Sequence, residues 1–269
     1  MIRLICSDID GTLVPDGSRN INPEVFEVIG RLHERGIHFA ICSGRAQSSI
    51  LGLFEPVREK IFIISLGGAM IGTCHRTLFQ WAMPGDDLDE MIRQGRRIPG
   101  CELELDGVAH SYLETKNEEF KSWILNGYGT DIEMVEDLTR VRDQIVMLSM
   151  YHSGHQAATV FRDFMETWQD RYKVGTAGAM WLDVQRKDTN KGRAVAYLQE
   201  SLGITPEETM VFGDQRNDVE MMRQAYHSYA VENAVDEVKE AARFVTGRCD
   251  EDGVLKVLKR VLAGEEAFR

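Results

Sequence analysis

Short apolar runs that end in small, hydroxyl-bearing or acidic residues recur along this chain, with helical patterns between them. IRLIC at 2–6 runs into SDIDGT, IHFAIC at 37–42 into SGR, and TMVF at 209–212 into GDQRND. Apolar runs of this length without polar alternation need cover on both faces, which is the pattern of strands in a parallel sheet. Between the first two runs, Val25, Ile29 and Leu32 fall on one helical face, with Asn22 at the N-cap, Pro23 at the first helical position and Gly36 just past the end. IFIISLG at 61–67 reads as a third strand, preceded by a helical AQSSILGLF. The pattern resumes with helix KGRAVAYLQESLG from 191, strand TMVFG, helix NDVEMMRQA from 217, strand SYAV at 228–231 and a last helix from Gly253. Strands alternating with helices predict an α/β fold with a doubly wound, mostly parallel sheet.

The middle of the chain departs from this pattern. CELELD at 101–106 alternates strictly, as expected for a strand with one wet face, and Asp106-Gly107 reads as a hairpin turn into VAHSY. IVMLSMY at 145–151 is another strand, and Val160, Phe161, Phe164, Met165 and Trp168 form a helical stripe. The change of pattern divides the chain into a core of 1–82 with 187–269 and an inserted α+β domain of 83–186.

Lys and Arg number 31 against 43 Asp and Glu, a net charge of −12, which disfavours nucleic acid and anionic membrane as partners. A small phosphorylated metabolite remains compatible, because a local cation cluster overrides the global field at close range. The five cysteines are scattered without a C-x-x-C pair, which predicts reduced thiols. The first ten residues carry no apolar stretch of signal-peptide length, and the expected location is cytoplasmic.

Asp8 and Asp10 lie two apart, so on a strand they share a face at its carboxyl end, where open parallel sheets bind ligands. Asp and Gly also suit a simple turn. Asp214 follows another apolar strand, and Asn217 and Asp218 open the next helix, where either would also serve as an N-cap. Four carboxylates converging on one sheet edge repel one another unless a cation lies among them, and oxygen ligands without His or Cys indicate Mg²⁺. Ser43, Gly44 and Arg45 follow the second strand and begin a helix, offering a hydroxyl and free N–H groups to an anion, or simply a Ser cap. Lys191 stands at a helix start capped by Thr189 or Asn190. A cation there opposes the helix dipole, so either a negative group faces it or it lies in solvent.

In order these elements read D-x-D-G-T, S-G-R, N-K-G and G-D-x-x-N-D, each at a strand end or helix start. With them the chain resembles the haloacid dehalogenase-like (HAD) superfamily, and within it the Cof-type, type IIB phosphatases, in which a Rossmann-like core carries a large cap after the third strand. AVENA at 230–234 and EDGV at 251–254 are similar to that branch's C-terminal signatures. The resemblance implies a Mg²⁺-dependent phosphatase acting on a small phosphorylated metabolite such as a sugar phosphate, through an aspartyl-phosphate. It makes Asp8 the nucleophile and Asp10 the proton donor to the leaving oxygen and later the base for water. Mg²⁺ would be held by Asp8, the Asp10 carbonyl and Asp214, with Asp218 behind them. Ser43, Gly44 and Lys191 would bind phosphoryl oxygens, joined by Asn217 and Arg45. One departure stands out: Leu66-Gly67-Gly68-Ala69 occupies the place where the branch usually shows N-G-A, so Gly67 replaces an Asn. The cap would select the leaving group, with His110, Tyr112 and His152 as polar candidates. A phosphohexomutase would use the same residues to pass phosphate to another hydroxyl. A phospho-Asp signalling module would need neither Asp10 nor an insert of this size.

Overall fold

The computed structural model describes residues 1–127 and 131–268. They form two compact units, Met1–Leu78 with Asn190–Arg269, and Phe79–Thr189, the second wider than the stretch 83–186 over which the residue pattern changes. In chain order the strands are β1 (Leu4–Ser7), β2 (His38–Cys42), β3 (Ile61–Ser65), β4 (Met70–Gly72), β5 (Thr77–Gln80), β6 (Cys101–Gly107), β7 (Ser111–Glu114), β8 (Ile132–Met134), β9 (Ile145–His152), β10 (Tyr172–Ala177), β11 (Trp181–Arg186), β12 (Thr209–Gly213), β13 (His227–Val231) and β14 (Phe244–Thr246).

The first unit is built on a sheet of order β14-β13-β12-β1-β2-β3-β4-β5, parallel from β14 to β3, with β4 antiparallel to β3. It is the doubly wound α/β sheet that the alternating pattern predicts. The central strands are buried on both faces: Leu4, Ile5, Ile41, Ile63, Val211 and Phe212 have no exposed surface. Burying each such side chain contributes about 1.5–3 kcal/mol. Ser7 is level with Ile41 of β2 on one side and Phe212 of β12 on the other, so these three strands finish together at one edge.

The helix Pro23–Glu34 starts as the sequence predicts, the Asn22 side chain accepting from the Glu24 N–H. The last helix, Gly253–Ala263, buries Val254, Val257, Leu258, Val261 and Leu262. Two helix starts differ from expectation. Ser43-Gly44-Arg45 is a loop, and the helix after β2 covers only Gln47–Leu53. The Ser43 and Arg45 carbonyls accept from the Gly67 and Leu66 N–H groups, so they are tied to the loop after β3 and unavailable to a helix. After β12, a helical turn at Arg216–Asp218 leads into the short helix Val219–Met222, with Gln215 in the cap position rather than Asn217.

The second unit has a sheet of order β10-β11-β9-β6-β7-β8, antiparallel except between β7 and β8. Leu103, Leu105, Leu148, Met150, Leu182 and Val184 form a core with Phe161, Phe164 and Trp168 from the helical stripe, which is divided into Ala157–Val160 and Arg162–Trp168. β6 runs through Gly107, whose N–H donates to the His110 carbonyl, so the hairpin turn falls later than Asp106-Gly107. The alternating face of β6 is not wet: Glu104 and Asp106 are buried. Replacing Asn22 with Ala should lower stability by about 1 kcal/mol, measured by chemical denaturation, because it removes the cap of Pro23–Glu34.

Candidate active site

The common edge of β1, β2 and β12 brings the sequence-marked residues of the first unit together. The Asp8 N–H donates to the Phe212 carbonyl at 3.0 Å, which extends the β1–β12 pairing into the segments carrying Asp8 and Asp214. The helix Lys191–Leu202 is capped by Asn190, whose side chain accepts from the Arg193 N–H, and not by Thr189. Its first residue, Lys191, is buried and does face negative groups: its Nζ lies 2.7 Å from Asp8 Oδ1 and 2.6 Å from Asp218 Oδ1. The second Asp218 oxygen accepts from the Asp214 and Gln215 N–H groups at 2.9 and 3.0 Å. Asp218 thus closes a backbone turn and a salt bridge at once, and both its oxygens are engaged.

Asp214 is oriented by neutral donors, the Thr12 hydroxyl at 2.8 Å from Oδ1 and the Gln215 side-chain amide at 3.2 Å from Oδ2. Gly11 allows this approach: it sits at φ 78°, and a Cβ there would lie 2.2 Å from Asp214 Oδ2. The Asn233 side-chain amide donates to the Gly11 carbonyl at 2.7 Å, and its oxygen accepts from the Cys249 N–H. Thr12, Gln215 and Asn233 are positioning residues that sequence reasoning did not single out. Thr12 closes the D-x-D-G-T motif and Asn233 lies within AVENA, so the sequence marked their places but not these contacts, and Gln215 carried no signal.

Electrostatics separates these groups. Burial pushes the Asp8 carboxyl up to about 8, while the Lys191 ammonium beside it pulls the other way. Burial also works against the charge on Lys191, but Asp218 and Asp8 outweigh it and hold the ammonium protonated well above its ordinary range. Burial, together with the charge on Asp218, raises Asp214. Three buried carboxylates thus face one buried ammonium, which leaves two negative charges uncompensated when all are ionised. Asp8, Asp214 and Asp218 each offer an oxygen within 4.8 Å of the others. An oxygen-only donor set with a surplus of two charges fits a hard divalent cation.

Asp10 does not join this group, so three carboxylates converge rather than four. Its carboxylate is held by Arg45, Nε to Oδ2 at 2.8 Å and Nη2 to Oδ1 at 2.5 Å, and Arg45 also reaches the Ser18 carbonyl. Arg45, expected to meet phosphate, is a clamp on Asp10 here. Ser43 is buried at the same edge and its Oγ accepts from the Arg45 N–H. Gly44 and Asn217 are exposed, with no side-chain contact drawing Asn217 toward Asp8. Gly67 has φ 64° and ψ 21°, a left-handed conformation that both Gly and Asn accept, so the replacement of an Asn there leaves the backbone unstrained. Within the second unit, His110 pairs with Asp131, the Tyr112 hydroxyl donates to Asp143, and His152 Nδ1 accepts from the Gly154 N–H.

The model of the haloacid dehalogenase-like hydrolase family matches residues 5–258. The chain belongs to this family. It is 26% identical to a 5-amino-6-(5-phospho-D-ribitylamino)uracil phosphatase of Escherichia coli, over 99% of this chain and 98% of that protein. A phosphatase of the same name from Bacillus subtilis is 25% identical over 96% and 95%. Among solved structures, a protein from Eubacterium rectale is 35% identical with a TM-score of 0.90, covering 97% of this chain and 99% of that one. One from Thermotoga maritima is 26% identical with a TM-score of 0.86 and 97% coverage of both. As a haloacid dehalogenase-like hydrolase of the Cof-type branch, the chain is an enzyme acting on phosphate esters. No described helix is long and apolar enough to cross a membrane.

Replacing Lys191 with Met leaves Asp8 and Asp218 buried without their cation. In Mg²⁺-free buffer the variant should lose about 3–5 kcal/mol of stability by chemical denaturation. A loss below about 1 kcal/mol would mean that the ammonium does not balance these carboxylates.

Proposed function

We propose that this haloacid dehalogenase-like hydrolase is a Mg²⁺-dependent phosphatase that hydrolyses a small phosphorylated metabolite of the sugar-phosphate kind through an aspartyl-phosphate. The observation that carries the reading is the buried cluster of three carboxylates, Asp8, Asp214 and Asp218, beside a lysine that reaches Asp8. The names of the Escherichia coli and Bacillus subtilis relatives support a polyol-phosphate substrate.

Asp8, the Asp10 carbonyl and Asp214 would hold Mg²⁺, with Asp218 behind them fixing Lys191 and the Asp214 backbone. Bound there, the ion supplies positive charge that lets a carboxylate and a phosphate dianion approach. One Asp8 oxygen is held by Lys191 and the other attacks phosphorus. As that bond forms, the bond to the leaving oxygen breaks and Asp10 gives that oxygen a proton. Asp10 then takes a proton from water, whose oxygen attacks the same phosphorus. The bond to Asp8 breaks, and inorganic phosphate and free carboxylate are restored. To act as the acid, Asp10 must first release Arg45 and take a proton from solvent, which makes the guanidinium a latch on it. Lys191 and the Ser43 hydroxyl would bind transferring phosphoryl oxygens, with Gly44 and Asn217 at the exposed rim.

Purified protein should hydrolyse an aryl phosphate only with Mg²⁺, lose that activity in EDTA and regain it when Mg²⁺ is restored. Asp8→Asn should lower the rate about a thousandfold or more. Unchanged turnover in that variant would refute the assignment of Asp8 as nucleophile.

A further inference from the structure

Outside the group around Asp8, the described residues contain one further set of His, Cys, Asp or Glu side chains whose ligand atoms lie within 4.8 Å of one another: Glu59, Cys74 and His75. All three belong to the first unit. Glu59 sits in the helical turn Glu55–Lys60 that leads into β3, and Cys74 and His75 sit between β4 and β5. Strand register brings these segments together. β4 runs antiparallel to β3 with Gly72 level with Ile63, so the residues just after β4 return to those just before β3.

The returning turn is held in one shape. The Thr73 N–H donates to the Arg76 carbonyl at 2.9 Å, the Thr73 hydroxyl oxygen accepts from the His75 N–H at 3.3 Å, and the Gln47 side-chain amide donates to the Thr73 carbonyl at 3.2 Å. In an extended strand, adjacent side chains point to opposite faces. Here Cys74 and His75 converge on one carboxylate instead. His75 Nε2 lies 2.5 Å from Glu59 Oε2, and the Cys74 thiol is hydrogen-bonded to Glu59 as well, while Arg58 Nε is 3.9 Å from the other oxygen, Oε1. A surface ion pair needs Glu59 and His75 alone; the thiol adds a third, softer donor at the same place.

One sulfur, one imidazole nitrogen and one carboxylate oxygen are the donors that suit Zn²⁺, whereas Mg²⁺ takes an octahedron of oxygens. Bonds of about 2.0–2.3 Å to a tetrahedral Zn²⁺ set the ligand atoms about 3.3–3.8 Å apart, within the spread found here, so the His75–Glu59 contact opens only slightly to admit the ion. Charge balances too, since a thiolate and a carboxylate match two positive charges beside a neutral imidazole. The thiol proton passes to solvent as the bond to sulfur forms, and the fourth position is left for water.

We propose that Glu59, Cys74 and His75 form a Zn²⁺ site that ties the turn between β4 and β5 to the segment entering β3. It is separate from the oxygen-only group at Asp8 and independent of phosphate chemistry. No C-x-x-C spacing marks it, because only two of the ligands are adjacent and the third comes from another segment.

The test titrates the whole chain, kept reduced and saturated with Mg²⁺, with Co²⁺ as a spectroscopic stand-in for Zn²⁺. Stoichiometric Co²⁺ should produce a near-ultraviolet thiolate-to-cobalt band together with the visible bands of a tetrahedral ion, and Zn²⁺ should erase both. The oxygen ligands at Asp8 cannot give the thiolate band. Cys74→Ser should abolish it, and Glu59→Gln and His75→Ala should each weaken Co²⁺ binding by about tenfold or more. These positions are exposed or half-buried, so the variants should fold as wild type does. No thiolate band at saturating Co²⁺, a band that survives Cys74→Ser, or binding unaffected by Glu59→Gln and His75→Ala would overturn the proposal.

Discussion

The ammonium of Lys191, buried between Asp8 and Asp218, is the interaction on which the site depends. Each charge alone would be costly to remove from water, and each is tolerable only because the others lie within hydrogen-bond distance. The arrangement is still unbalanced, because Asp214 adds a third carboxylate and no second buried cation answers it among the described residues. The enzyme thus folds around a charge deficit that a divalent ion and a phosphate ester can together resolve.

That deficit is produced by strand register. β1, β2 and β12 end level with one another, so Asp8, Ser43 and Asp214 reach one edge, although the first and last are some two hundred residues apart. The backbone then adjusts the approach. Gly11 takes a left-handed conformation and leaves room for the Asp214 carboxylate, while Asn233 holds the Gly11 carbonyl in place. Asp218 ties the turn after β12 back to its own amides. These are neutral or local contacts, and they hold together charged groups that would otherwise repel one another.

Much of this was legible in the sequence because it is local. The double-sided apolar runs, the Asn22 cap, and a lysine placed against the dipole of its own helix all depend on a few neighbouring residues. What could not be read was long-range pairing. Nothing near Asp10 announces that Arg45, on another loop, takes up its carboxylate, and its spacing from Asp8 alone places it with the other acids. The helix expected at Ser43 is absent because its carbonyls are bonded to the loop after β3. Glu104 and Asp106 show the same limit from the opposite side. Period-two alternation gives which residues share a face of β6, but whether that face meets water depends on the rest of the molecule.

The account ranks its carboxylates by what already holds them. Asp218 is tied by Lys191 at one oxygen and by two backbone amides at the other and supports the others, Asp10 is latched, and Asp8, held at one oxygen, and Asp214, held only by neutral donors, are the best placed for an ion. Anomalous diffraction at the manganese edge, from crystals soaked in Mn²⁺ as a stand-in for Mg²⁺, tests this ordering most directly. The account predicts one strong peak bonded to oxygens of Asp8 and Asp214 and to the Asp10 carbonyl. A peak elsewhere, or none at saturating Mn²⁺, would contradict it.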